Sequence, residues 1–127
     1  MQPLIKSADP LRRYKLGNYL AILMHNIEAM GMIGYEYMVI VFDTTREGDD
    51  TQVPVLFITS EYSDFTKAEG HFVLGVFDGN GHQNHGHDAK WGELGHFEPA
   101  ALELAAELLQ VEEKPVFIPP PPSDIQH

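Results

Sequence analysis

Four of the seven histidines in this chain, His82, His85, His87 and His96, fall within fifteen residues, in the segment DGNGHQNHGHDAKWGELGHF at 78–97. Asp78, Asp88 and Glu93 stand among them. Neutral imidazole binds zinc, copper, nickel and iron, and carboxylates complete such sites. The segment is therefore a candidate centre for a divalent transition metal such as zinc, with His82, His85, His87, Asp78, Asp88 and His96 as ligands. Asn80-Gly81 is a strong two-residue hairpin signal. That turn pairs Gly79 with His82, Val76 with His85 and Leu74 with His87, and so sets His85 and His87 on one face, diagonal to Asp78. Two imidazoles and a carboxylate on one side of a hairpin leave an open coordination position for water.

The same residues also read as a solvated loop, since three glycines, two asparagines and no hydrophobic residue lie between Asp78 and Ala89. An EF-hand loop starting at Asp78 is excluded: its sixth position, which needs glycine, is Gln83, and its twelfth is Ala89 rather than glutamate. Outside the segment, Asp43, Glu61 and Asp78 each close a strand and have the chemistry of general acids or bases. With no substrate pocket legible, they read as solvated strand ends. Ser60 and Ser63 lack the setting of a hydrolase nucleophile. Gly75, inside a strand, marks a bulge or a close approach, and Trp91 and Phe97 read as anchors that pin the histidine segment to the core.

The elements that must position these residues follow from the apolar pattern. Residues 9–30 read as a helix: Asp9 caps it, Pro10 opens it, and Leu16, Leu20, Leu23, Ile27 and Met30 recur at helical spacing before Gly31. Three strands follow at 35–43, 53–61 and 71–78, rich in β-branched and aromatic residues. Their nine-residue connections are too short for parallel crossovers, so they form an antiparallel meander. Residues 82–88 add a possible fourth, polar edge strand, and residues 63–69 one helical turn. A second helix spans 99–110 with Pro99 at its first position and Leu102, Ala105, Ala106 and Leu109 as its buried stripe. The expected fold class is α+β: N-terminal helix, antiparallel three- or four-stranded meander, C-terminal helix. Residues 1–118 make the domain, and a proline-rich tail fills 119–127.

Both faces of the meander strands are apolar at their centres, and two helices cannot cover both. The expectation is a homodimer, or a comparable obligate partner, over the bare surface. Composition sharpens this. With 127 residues and 43% hydrophobic content, the chain is one domain with a real core. It has no cysteine, which excludes disulfides, thiolate metal sites and a thiol nucleophile. Nineteen Asp and Glu against eight Lys and Arg give a net charge of −11. Lys6, Arg12, Arg13 and Lys15 against Asp9 make residues 1–15 net +3, so the remainder carries −14. Asp43, Asp49, Asp50 and Asp78 gather at one end of the meander as an acidic rim. Such a field repels nucleic acid and favours cations or a basic protein partner. No apolar run matches a signal peptide or a membrane span, so the sequence reads as a soluble cytoplasmic protein. Its function reads first as a non-enzymatic homodimeric binding or adaptor domain, and second as a metal-binding protein using the histidine segment.

Overall fold

The computed structural model describes residues 2–45 and 53–120. Asp49 and Asp50 of the acidic rim and the tail beyond Pro120 lie outside the described residues. The strands are β1 (Ile5–Leu16), β2 (Tyr19–Ala29), β3 (Gly34–Asp43), β4 (Pro54–Tyr62), β5 (Phe72–Asp78), β6 (Gly81–Asp88) and β7 (Val116–Ile118), with helices α1 (Asp64–Ala68) and α2 (Leu94–Leu108). They form one seven-stranded sheet in the order β6-β5-β4-β3-β2-β1-β7, antiparallel throughout.

This corrects the expected α+β order in which an N-terminal helix precedes a three- or four-stranded meander. Residues 9–30 are not a helix but most of the β1–β2 hairpin, which closes at Gly17-Asn18 with Leu16 opposite Tyr19. Gly17 has φ +61°, the left-handed value that the first residue of a II′-type hairpin turn requires and glycine adopts without strain. The helical stripe was coincidental. Strands buried on both faces lose their period-2 alternation, so the run YLAILM at 19–24 fits either element. Pro10, read as a helix opener, sits in β1 opposite Met24. It is tolerated there because β7 pairs with β1 only at Arg13, Tyr14 and Lys15, which leaves the outer side of Pro10 as a free edge.

The two faces of the sheet are covered differently. On one, α2 lays Phe97, Ala101, Leu102 and Ala105 onto Leu16, Ala21, Leu23, Val39, Val41, Leu56, Ile58, Leu74 and Val76. The helix begins five residues before the expected start, so Pro99 lies inside it. The carbonyl that the proline leaves without its partner is that of Gly95, which is exposed to water. Glu98 ties α2 to β1: Arg12 donates to both of its carboxylate oxygens at 2.9 and 3.0 Å, and the Tyr14 hydroxyl donates at 2.6 Å. Arg12 is thereby held in an intramolecular ion pair with Glu98.

On the other face, Tyr35, Met38, Phe57 and Phe77 are buried against Ile5, Met24, Ile27, Ala29 and Ile40. No helix does this. Three register irregularities in β1, between Ile5 and Arg12, bend and over-twist the β1–β2 hairpin, and its far end, where Ile5 pairs with Ala29, packs onto this face. Ahead of β1, the exposed Gln2 lines a shallow recess together with Val55, Phe57 and Phe77. The coverage stops short at the β2–β3 turn, where Leu4, Met30, Met32 and Ile33 remain exposed.

Candidate functional site

The hairpin β5–β6 turns one residue earlier than Asn80-Gly81 implies. Asp78 pairs with Gly81 and Phe77 with His82, so Gly79-Asn80 is the turn. The Asp78 carboxylate stabilises it by accepting from the Asn80 amide at 2.7 Å. Moving a two-residue turn by one position moves each cross-strand partner by two, so His82 stays on the face of Phe77, where the expected turn also put it. The change of face comes farther along the hairpin: an irregularity between Val73 and Gly75 puts one extra residue into β6, so His87 pairs with Val73 rather than Leu74 and leaves the face of Asp78. The arrangement of His85 and His87 beside Asp78 is therefore not formed.

Each candidate ligand has its own local partner instead. His85 meets Gln83 Oε1 at 3.3 Å. His87 faces His71, Nδ1 to Nδ1, at 3.5 Å. Asp88 accepts from the Lys90 amide and caps the turn at Ala89–Gly92. His96 lies 3.9 Å from Glu93. His82 is 2.8 Å from Glu61. Among the described residues, no group of three or more His, Asp or Glu side chains is placed to hold a metal ion.

The His82–Glu61 contact belongs to a nearly buried polar cluster. Glu61, at the end of β4, is not a solvated strand end: its side chain is 8% exposed. It lies across β5 because Gly75 has no side chain, and a Cβ there would overlap the Glu61 carboxylate and press on the Thr59 hydroxyl. Through that gap Glu61 reaches His82 on β6, while Thr59 donates to the same oxygen, Oε2, at 2.6 Å. A carboxylate only accepts, so His82 presents Nε2–H to it. The imidazole is held flat by stacking on Phe77, with ring centroids 4.2 Å apart and planes 12° from parallel. Tyr35 completes the group, edge-on to Phe77. Burial pushes its phenol up to about 12, the Glu61 charge adds to this, and a hydrogen bond with the Leu4 backbone opposes it.

These side chains floor a cavity of about 350 Å³, also lined by Gln2, Leu4, Gly31, Met32 and Ile33. Apolar walls with a few convergent polar groups and a perturbed titratable residue are the usual marks of a ligand site. The cluster does not have the order of a nucleophilic relay. Thr59 and His82 both end on Glu61, whereas a hydroxyl nucleophile needs the imidazole between itself and the carboxylate.

No family model, curated protein or solved structure matches this chain. Among the described residues, no helix is long and apolar enough to cross a membrane. The fold and site define the class directly: a seven-stranded antiparallel sheet with one helix-covered face and, on the opposite face, an apolar cavity over a buried carboxylate.

Sequence reasoning singled out Glu61, Gly75 and His82 separately but did not join them. Gly75 carried the usable signal, since a glycine amid VL-VF marks a close approach. What approaches it, a carboxylate from the preceding strand, depends on the cross-strand register.

Proposed function

We propose that this protein is a non-enzymatic binding module that works through the face of the sheet opposite α2. The observation that carries this reading is Glu61, a nearly buried carboxylate kept at the floor of an apolar cavity. Withdrawing a carboxylate from water costs several kcal/mol unless neighbours compensate. Here three strands and a glycine are arranged to hold it, while apolar side chains at the mouth stay in water. Polar groups sunk in an apolar recess, with methionine and leucine at the rim, suit a ligand with an apolar body and one polar end.

Nile red, a neutral dye that brightens in apolar surroundings, tests this. Folded protein should raise its fluorescence, and Met32→Asp at the mouth should remove most of the rise without lowering the unfolding midpoint. Absence of any response from the folded wild type, or an unchanged response in the variant, would overturn the reading.

A second reading concerns self-association. Leu4, Met30, Met32 and Ile33 form an exposed apolar cluster at one end of the sheet, of the kind that supports a homodimer. The acidic body favours a basic protein as any further partner. The side chains of the histidine segment meet separate partners, which favours the cavity over that segment as the binding site.

A further inference from the structure

Resting on the binding reading above, we propose that the cavity takes a small aliphatic amine, with its ammonium on the Glu61 carboxylate and its chain along Leu4, Met32 and Ile33. Both hydrogen bonds that Glu61 receives among the described residues fall on Oε2, from Thr59 and His82. Its second oxygen is the acceptor available to an occupant of the cavity that Glu61 lines. An ammonium brings donors only, which is what a carboxylate already serving two donors can still accept. Low dielectric around the site strengthens the pairing relative to water.

The remaining walls select against other head groups. A carboxylate or phosphate would meet the Glu61 charge at close range inside a body of net charge −11. The groups beside Glu61 do not reverse this: Tyr35 stays a neutral phenol, and His82 directs its Nε2–H at Oε2. Among the described residues no lysine or arginine lines the cavity, so none of them already occupies the position of the cation. The walls are short of polar partners for a multiply hydroxylated ligand, which would leave its hydroxyls unsatisfied. A volume of about 350 Å³ suits a compact molecule rather than a folded partner.

The test uses the full chain and three probes of equal length, hexylamine, hexanol and hexanoate, titrated while the methionine methyl and His82 ring signals are followed by NMR. Hexylamine should shift Met32 and His82 and bind at least tenfold more tightly than hexanol, with hexanoate weaker still. Glu61→Gln should erase the advantage of the amine over the alcohol. Since that variant could fail to fold, the wild-type comparison of the three probes stands by itself. Equal binding of amine and alcohol would overturn the amine proposal and leave the cavity reading intact, whereas silence from both probes would overturn both. A fourth probe, N-acetyl-lysine amide, separates sources: tighter binding of it than of hexylamine would assign the site to a lysine side chain and overturn the free-amine proposal.

Discussion

At the scale of single residues, the molecule turns on a missing side chain. Gly75 lets a carboxylate from β4 cross β5 and meet an imidazole on β6. Gly75→Ala should therefore destabilise the fold by about 1–3 kcal/mol, the range for a side chain forced into filled space. Urea unfolding of Gly75→Ala alone and in a Glu61→Ala background checks the cause: removing the carboxylate should restore part of the loss, and strictly additive effects would refute the proposed overlap. Tyr35 makes a separate prediction. Its proton is held up to about 12 in the folded state against an ordinary value of 10.0, so the unfolded chain releases it first. The stabilisation is complete below pH 10 and is lost as pH climbs through about 12. Unfolding midpoints measured across that window should fall, and fall less steeply in Tyr35→Phe. Tyr14, raised chiefly by burial and then by its bond to Glu98, supplies a residual decline in the variant. Equal slopes in the two proteins would contradict this assignment. The cluster was not identifiable from residue type alone, because Glu61, Thr59 and His82 are ordinary strand residues until the register joins them over Gly75.

At the scale of elements, α2 closes one face through a few large contacts. Phe97 is fully buried and stacks on Tyr37 at 6.0 Å. Phe97→Ala should cost about 3–5 kcal/mol. The control is Phe65 on α1, which is 69% exposed, where alanine should change stability by no more than about 0.5 kcal/mol. Comparable losses at the two sites, read by denaturant midpoint, would show that α2 does not seal the core. The β3, β4 and β5 strands and the later helix were legible because their apolar runs are bounded by turn residues. The β1–β2 hairpin was not. Its leucine and isoleucine spacing matches a helix, and the decisive signal, Gly17-Asn18, is two residues long inside a 22-residue apolar pattern. Leu16 and Leu23 face α2, but Met30 ends in solvent at the following turn. A real helical stripe would have buried them together.

At the scale of the whole molecule, net charge and the exposed apolar cluster act against each other. Two copies of charge −11 repel at long range, while Leu4, Met30, Met32 and Ile33 offer apolar area at contact. Self-association through this cluster should therefore tighten as salt rises past about 0.15 M, where the Debye length falls below roughly 8 Å. Sedimentation velocity at tens of micromolar should show the dimer fraction rising with salt in the wild type and a monomer in Met32→Asp. A wild-type monomer at every salt concentration would remove the dimer from the account.

Composition and local pattern alone determined that this is an acidic, cysteine-free chain with an apolar core, several antiparallel strands and a late amphipathic helix. These properties depend on residue type and near-neighbour spacing, which a linear chain displays. The tertiary structure decided the rest. Whether residues 9–30 form a helix or a hairpin depends on a sheet being present to pair with. Which face His87 occupies depends on one extra residue that β6 carries opposite Val73 and Gly75. Glu61 is a surface carboxylate in one register and the floor of a cavity in another. Strand pairing has a period of two, so a single-residue shift leaves the sequence pattern nearly unchanged and exchanges every contact.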